Sequence, residues 1–318
     1  MGLHETILTI FGVIAIGYGA ACFRLLKEAV GDGLSDFVFV IAAPILLFKT
    51  IVSADFHGTV PWALWIAYFS GVVVTWAVSH IAIRLIFGRD RRAGVVAGVS
   101  GSFSNLVFLG LPIMMGAFGN NGFAVLTLII AIHLPIMMGA SITLYEWALR
   151  RDGMADNAHG AASVVFSFFN SLLRNPLIIG IVLGWMWRFG GLPIPRFADH
   201  LINMLAAIAG PVALFAMGMG LRKFGVSGNV KASLVLSAIK LLVMPAVVMA
   251  SVWFLNVAPL AAQVAVTAAA LPAGVNSYLI ATRFGTGQAL ASNSMVLGTA
   301  FSAITMTFWI SLALKVFG

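Results

Sequence analysis

Two stretches of this 318-residue chain decide its fold: residues 94–112, GVVAGVSGSFSNLVFLGLP, and residues 268–278, AAALPAGVNSY. Each stretch interrupts a long apolar run with small, polar and proline residues. Proline removes a backbone donor and blocks the helical hydrogen-bond ladder, and glycine and serine let two backbones approach closely. The two stretches therefore predict two broken helices within an otherwise apolar chain.

The composition predicts that most of the chain is surrounded by lipid. Hydrophobic residues make up 61% of the sequence and charged residues 9%, whereas soluble domains are near half apolar and about a quarter charged. This composition excludes a disordered chain and a disulfide scaffold, and it argues against a soluble enzyme. The lone Cys22 provides neither an intrachain disulfide nor a metal-ligand set. We therefore predict no metal site and no cofactor.

Ten apolar runs are long enough to cross the hydrocarbon core, which needs about 20 residues of helix. Turn residues such as Gly31-Asp32-Gly33 and Asn120-Asn121-Gly122 separate them. The runs cover roughly residues 5–25, 31–51, 61–87, 93–118, 121–149, 165–188, 196–221, 230–256, 259–283 and 287–316. We predict an all-α membrane protein of ten transmembrane helices, with the fourth and ninth helices broken.

The distribution of lysine and arginine predicts the orientation of these helices. With an external N-terminus, thirteen of the 18 basic residues fall in one set of loops and four in the other, Lys240 being inside a helix. The thirteen are Arg24, Lys27, Arg84, Arg89, Arg91, Arg92, Arg150, Arg151, Arg174, Arg222, Lys223, Lys231 and Arg283. Basic loops remain cytoplasmic, so we expect both termini on the non-cytoplasmic side of a cell (inner) membrane. The net charge of +8 is then a topology signal and does not indicate nucleic-acid binding.

The two halves of the chain resemble each other at a nearly constant offset. A shift of 167 residues lays Gly17-Tyr18 on Gly184-Trp185 and Pro44–Phe48 on Pro211–Phe215, and a shift of 168 lays Phe103-Ser104-Asn105 on Leu271-Pro272-Ala273. We predict a first five-helix repeat over 1–149, a cytoplasmic linker over 150–164 and a second repeat over 165–318. Because five is odd, the second repeat enters the membrane from the opposite side, as in many secondary transporters.

The matching breaks predict a binding site at mid-membrane. Half-helix N-termini carry partial positive charge and free N–H groups, which suit an anion. Asn105 and Asn276 add uncharged donors and acceptors at the same depth. The predicted substrate-binding residues are Phe103, Ser104, Asn105, Pro272, Gly274, Asn276, Ser277 and Tyr278. The first helix breaks either at Ser104-Asn105 or at Gly110-Leu111-Pro112.

These motifs resemble those of the auxin efflux carrier family, which contains plant auxin exporters and bacterial organic-acid permeases. The similarity lies in Ser104-Asn105 followed by Gly110-Leu111-Pro112, and in Leu271-Pro272 with Asn276. The resemblance implies two inverted five-helix repeats and a carboxylate substrate bound where the broken helices cross. Plant members have proline immediately before the first asparagine, whereas this chain has Ser104. The short link after Arg150 is similar to that of the bacterial permeases.

Four ionisable residues inside the predicted helices are candidates for charge coupling, because charge at membrane depth is costly. Lys240 is ten residues into its helix and is positioned to neutralise a substrate carboxylate or to replace a coupling cation. Lys49 lies near a helix end, where an interfacial role is the alternative. His80 and His133 are candidates for proton relay or for simple hydrogen bonding. No embedded aspartate forms an obvious sodium site, which favours proton coupling or uniport.

We predict a secondary active transporter of a small organic anion, a carboxylate such as malonate or malate or an auxin-like acid, and not an enzyme. An anion channel of the same architecture is the alternative. Gly98-Val99-Ser100-Gly101 also fits the Gly-x-Ser-Gly pattern of rhomboid-type intramembrane serine proteases, but glycine and serine are common in packed membrane helices. Substrate identity, direction of flux, a coupled proton or sodium ion, and a homodimer remain open.

Overall fold

The computed structural model describes residues 2–53, 61–154, 166, 168–170, 172–226 and 228–318. These ranges are almost entirely helical, and within them extended pairing is confined to one isolated bridge between Ser104 and Ala273. The helices, in chain order, are α1 (Leu3–Cys22), α2 (Glu28–Phe37), α3 (Ala43–Ser53), α4 (Pro61–Phe87), α5 (Arg91–Ser102), α6 (Leu111–Arg151), α7 (Pro176–Gly190), α8 (Arg196–Phe224), α9 (Val230–Ala238), α10 (Met244–Phe254), α11 (Pro259–Ala270), α12 (Val275–Arg283) and α13 (Gln288–Phe317). Three π-helical turns connect neighbouring helices: Val38–Ala42, Leu106–Gly110 and Ile239–Val243.

Seven helical segments of the described chain are long and apolar enough to cross a membrane, so the architecture is that of an all-α, multi-pass membrane protein. In two of them, Glu28–Ser53 and Val230–Phe254, a π-helical turn joins two α-helices, and in Leu106–Arg151 a π-helical turn precedes α6. The segments are Leu3–Cys22, Glu28–Ser53, Pro61–Phe87, Leu106–Arg151, Arg196–Phe224, Val230–Phe254 and Gln288–Phe317. Two apolar helices, Pro176–Gly190 and Pro259–Ala270, are shorter.

The segment Leu106–Arg151 is too long for one pass. Its 46 residues would extend about 69 Å at 1.5 Å per residue, roughly twice the thickness of the hydrocarbon core. The backbone leaves helical geometry at Gly119, where φ is 62° and ψ is −157°. Glycine is the residue that adopts a positive φ without steric cost. The interruption therefore falls beside the predicted turn at Asn120-Asn121-Gly122.

The chain forms two compact units, and each unit takes segments from both halves of the sequence. The first unit comprises the described residues within Met1–Gly58, Val107–Ala131 and Asn170–Lys223, and the second those within Thr59–Leu106, Ile132–Phe169 and Phe224–Gly318. Compact units and sequence repeats are thus different divisions of this chain. Most of the predicted linker over 150–164 lies outside the described residues, and its described part ends at Met154.

Glycines allow the helices of the first unit to pack backbone to backbone. A Cβ on Gly17 of α1 would collide with the carbonyl oxygen of Phe215 in α8. A Cβ on Gly184 of α7 would lie 3.2 Å from the carbonyl oxygen of Phe48 in α3. Both contacts place a glycine against a phenylalanine carbonyl, and both bring helix axes close together, as small residues do in membrane proteins.

Helix α4 in the second unit packs against α5 and α10. Against α5 it meets glycines: a Cβ on Gly98 would collide with Trp76, and one on Gly101 would collide with Ser79. Against α10 it forms a hydrogen bond between the Ser70 and Ser251 hydroxyl groups, 2.7 Å apart. These contacts hold the end of α5, where the first break lies, in a defined position.

Candidate substrate-binding site

Both predicted breaks are present, and each has a local cause. Helix α5 ends at Ser102, and Phe103 continues in an extended conformation. Helix α11 ends at Ala270, and Leu271 is extended, because a residue before proline is disfavoured in the helical region. Gly110 closes a π-helical turn and Pro112 lies within α6. The first helix therefore unwinds at Ser104-Asn105 and not at Gly110-Leu111-Pro112.

The two unwound segments hydrogen-bond to each other as a short antiparallel pair. The Asn105 N–H donates to the Pro272 carbonyl at 2.9 Å, and the Gly274 N–H donates to the Phe103 carbonyl at 3.1 Å. These bonds satisfy backbone groups that would be costly if left free at membrane depth. Ser104 faces Ala273, one residue beyond the partner that the shift of 168 assigned. Proline has no N–H, and in this register Pro272 contributes only its carbonyl.

Gly274 allows the two backbones to come this close and also begins α12. A Cβ at this position would lie 3.2 Å from the Cα of Asn105, which is tighter than ordinary packing. Gly274 is the N-cap residue of α12, and no side chain caps the first turn. The Ser277 hydroxyl donates instead to the Gly274 carbonyl at 2.7 Å. The N-terminus of α12 therefore points its partial positive charge at the pairing.

The predicted substrate-binding residues lie around this pairing, in two groups. Phe103, Ser104, Asn105, Pro272 and Gly274 form the unwound segments themselves and are all buried. Asn276, Ser277 and Tyr278 follow on the first turn of α12, where Ser277 is buried and the other two are partly exposed. We name these eight residues the crossover.

The two aromatic residues of the crossover have different neighbours. The Phe103 ring meets the His133 ring edge-on, with centroids 4.8 Å apart. The Tyr278 ring packs against Phe224, with centroids 4.7 Å apart. Phe103 therefore connects the crossover to α6, whereas Tyr278 contacts the end of α8.

Lys240 lies beside the C-terminal end of α11, the half-helix that precedes the second break. Its side chain is 1% exposed, and its Nζ donates to the Ala269 carbonyl at 2.6 Å. Ala269 is in the last turn of α11, where carbonyl groups carry partial negative charge. None of the buried polar side chains in the described ranges is aspartate or glutamate. The Lys240 amine is thus buried beside the break, and the part of the chain that the structure describes offers it no buried carboxylate.

His133 and Tyr68 form a second polar cluster, which contacts Phe103 through the His133 ring. The two rings meet edge-on at 5.6 Å, and both residues are almost fully buried. In the described part of the chain neither nitrogen of His133 nor the Tyr68 hydroxyl has a hydrogen-bond partner, although the Tyr68 hydroxyl lies beside that of Ser104. Sequence reasoning did not select Tyr68, because tyrosine in a membrane helix is typical of the lipid–water interface.

The other two predicted charge-coupling residues are not part of these clusters. His80 on α4 packs against Gly94, where an added Cβ would lie 2.8 Å from the imidazole Cε1. Gly94 precedes Phe103 by nine residues, or roughly 13 Å of helix, so His80 is remote from the crossover. Lys49 lies on α3 in the first unit and is partly exposed.

A multi-pass helical chain with two broken, mutually bonded helices has the architecture of a membrane transport protein. Comparison with known families agrees with this class: the family described as "Membrane transport protein" matches residues 3–310. The chain therefore belongs to this family, the auxin efflux carrier family, and the family assignment from the sequence is confirmed. It is a membrane transporter of this family, and the relatives described below are named as transporters or as a carrier.

Three relatives illustrate the range of the family. A protein of Rhizobium meliloti named "Putative malonate transporter" is 27% identical over 95% of this chain and 92% of its own length. An uncharacterized transporter of Methanocaldococcus jannaschii is 22% identical over 96% of this chain and 97% of its own. Auxin efflux carrier component 3a of Oryza sativa is 25% identical over 48% of this chain and 26% of its own.

Proposed function

We propose that this protein is a secondary active transporter of a small organic anion, a carboxylate such as malonate or malate or an auxin-like acid. The observation that carries the proposal is the reciprocal pairing of two broken helices at Ser104 and Ala273. Unwound segments at mid-membrane occur where backbone lines a binding site. The substrate is expected at the crossover and moves by alternating access.

The architecture that we propose is ten transmembrane helices in two inverted repeats, over residues 1–149 and 165–318. Two sets of contacts support it. Exchanging residues 167 apart converts the contact of Gly17 with Phe215 into that of Gly184 with Phe48. Exchanging residues 169 apart converts the hydrogen bond from Asn105 to Pro272 into the one from Gly274 to Phe103. Contacts that interconvert in this way are expected of a pseudo-two-fold axis.

The charge balance around the crossover supports an anionic substrate. An ammonium group buried without a counter-ion costs several kcal/mol, and a carboxylate beside Lys240 would offset that cost. The uncapped N-terminus of α12 favours the same charge. With no buried acidic side chain in the described chain, a sodium site has few ligands, and we propose proton coupling or uniport.

An intramembrane protease is the less favoured interpretation of Ser100. A serine nucleophile needs a histidine within hydrogen-bond reach, although apo geometry is often looser. In the described residues the Ser100 hydroxyl has no hydrogen-bond partner, and His80 and His133 contact other residues.

An anion channel shares the proposed architecture and is separated from a carrier by experiment. Saturable counterflow of labelled malonate in liposomes is expected for the carrier, and a non-saturating conductance would favour the channel.

The site is tested by Asn105→Ala in the purified, reconstituted protein. We expect carboxylate binding in a thermal-shift screen, repeated across pH and sodium concentration, and loss of counterflow in the variant without loss of folded protein. Asn203→Ala, on α8 in the first unit, is the matched control and should transport normally. Undiminished counterflow by Asn105→Ala would overturn the site assignment.

A further inference from the structure

We infer that Tyr68 and His133 form a subsite for the second carboxylate of a dicarboxylic acid, adjoining the crossover that holds the first. The inference rests on the proposed function and narrows its carboxylate substrate to a dicarboxylic acid. Its structural basis is a set of buried donors that the protein leaves unsatisfied. Tyr68 is 0% exposed and His133 is 2% exposed. In the described residues both His133 nitrogens lack a hydrogen-bond partner, and the Tyr68 hydroxyl has only the neighbouring Ser104 hydroxyl beside it.

Most buried polar groups have a hydrogen-bond partner, and leaving one without a partner costs about 1–3 kcal/mol. The Tyr68 hydroxyl and a neutral imidazole each offer one donor. Both residues lie one side chain from the backbone pairing, since Phe103 contacts His133 at 4.8 Å and Tyr68 lies beside Ser104. A ligand held at the crossover is therefore next to these two donors.

The surrounding charge selects a carboxylate over a cation. Lys240 is a buried basic residue of the same compact unit, and its amine lies beside the second break, bonded to the Ala269 carbonyl. The His133 ring contacts the rings of Tyr68, Phe69 and Phe103. The nearby Ser104 hydroxyl also has an apolar neighbour, since it is 4.0 Å from the Met244 sulfur. Hydrogen-bond donors and a basic group, with no buried carboxylate among the described residues, suit an anion. An apolar surround strengthens each bond to it.

Comparing malonate with isovalerate separates the contribution of the subsite from that of the crossover. In isovalerate an isopropyl group of similar shape replaces one carboxylate of malonate. The wild type is expected to bind malonate at least about tenfold more tightly, since a hydrogen-bonded charged group in a buried site contributes at least that factor. Tyr68→Phe removes only the hydroxyl, and His133→Phe removes both nitrogens and keeps a ring against Phe103. Each should weaken malonate binding about tenfold and leave isovalerate binding within about twofold.

Thr75→Val is the matched control. Thr75 lies two turns along α4 from Tyr68, is also 0% exposed, and its hydroxyl is also without a partner in the described residues. Loss of the Thr75 hydroxyl should change the affinity for neither malonate nor isovalerate. Thermal unfolding of each variant shows whether that variant is folded. If Tyr68→Phe does not fold, His133→Phe carries the test.

The results distinguish the subsite from the proposed function. Equal affinities of the wild type for the two acids, or equal effects of both variants on the two acids, would overturn the subsite and leave the transporter proposal intact. Asn105→Ala should weaken both acids together. A wild type that binds neither these acids nor any carboxylate in the thermal-shift screen would overturn both proposals.

Discussion

At the scale of single residues, the notable group is a buried amine that faces helix carbonyls. The Nζ of Lys240 donates to Ala269 at 2.6 Å, at the end of the half-helix α11. A helix ending inside a membrane leaves carbonyl groups that need donors. Lys240 supplies one donor there and leaves two N–H bonds of its ammonium form for other acceptors. The Lys240 amine thus lies at the end of α11, a position where a bound cation would otherwise stabilise the half-helix.

Replacing Lys240 with methionine tests this role. Methionine keeps the approximate length of the side chain and removes the charge, so we expect malonate affinity to fall at least about tenfold, the loss of one charge-assisted hydrogen bond. Isothermal titration calorimetry measures the change. Lys315→Met, at an exposed position near the end of α13, should bind as the wild type does. A Lys240→Met variant with full affinity would show that the amine has only a structural role.

At the scale of helices, the position of the crossover depends on how α5 packs against α4. Gly94, Gly98 and Gly101 recur along α5, and a Cβ on each would collide with or crowd a side chain of α4. Such close packing leaves little room for an added methyl group. The break at Phe103 begins one residue after the helix ends, so a displaced α5 would displace Ser104 and Asn105 as well.

Gly98→Ala should therefore destabilise the protein. Its new Cβ would collide with the Trp76 indole, and overpacking of this kind costs roughly 1–3 kcal/mol. Gly12→Ala in α1 is the matched control, because nothing lies within 4 Å of the added atom, and it should be neutral or stabilise by up to about 1 kcal/mol. Thermal unfolding followed by tryptophan fluorescence compares the two. Equal stability of both variants would contradict the close packing of α5 against α4.

At the scale of the whole molecule, the two halves of the sequence are shared between two compact units. Each unit contains segments from before residue 150 and after residue 165. The crossover residues, with Tyr68, His133 and Lys240, all fall within the second unit. The site is therefore assembled from both halves of the chain, as expected when repeats intertwine.

The predicted orientation is tested with the single cysteine of the chain. Cys22 is free and exposed at the end of α1, on the side that the basic residues predict to be cytoplasmic. A membrane-impermeant maleimide should label it only after permeabilisation of the cells. Leu192→Cys in a Cys22→Ser background lies on the predicted external side and should be labelled on intact cells. The reverse pattern would invert the proposed topology.

The sequence by itself determined the apolar runs, the positive loops and the break at Pro272, because these features depend on composition and on local backbone chemistry. A proline has no N–H and disfavours a helical conformation in the residue before it, so Leu271 is extended where α11 ends. The tertiary structure alone decided that the first helix unwinds at Ser104-Asn105, since those backbone groups are satisfied by residues almost 170 positions away. It also brought together the residues of the proposed site: Tyr68, His133 and Lys240 lie far apart in the sequence, and only packing places them in one compact unit.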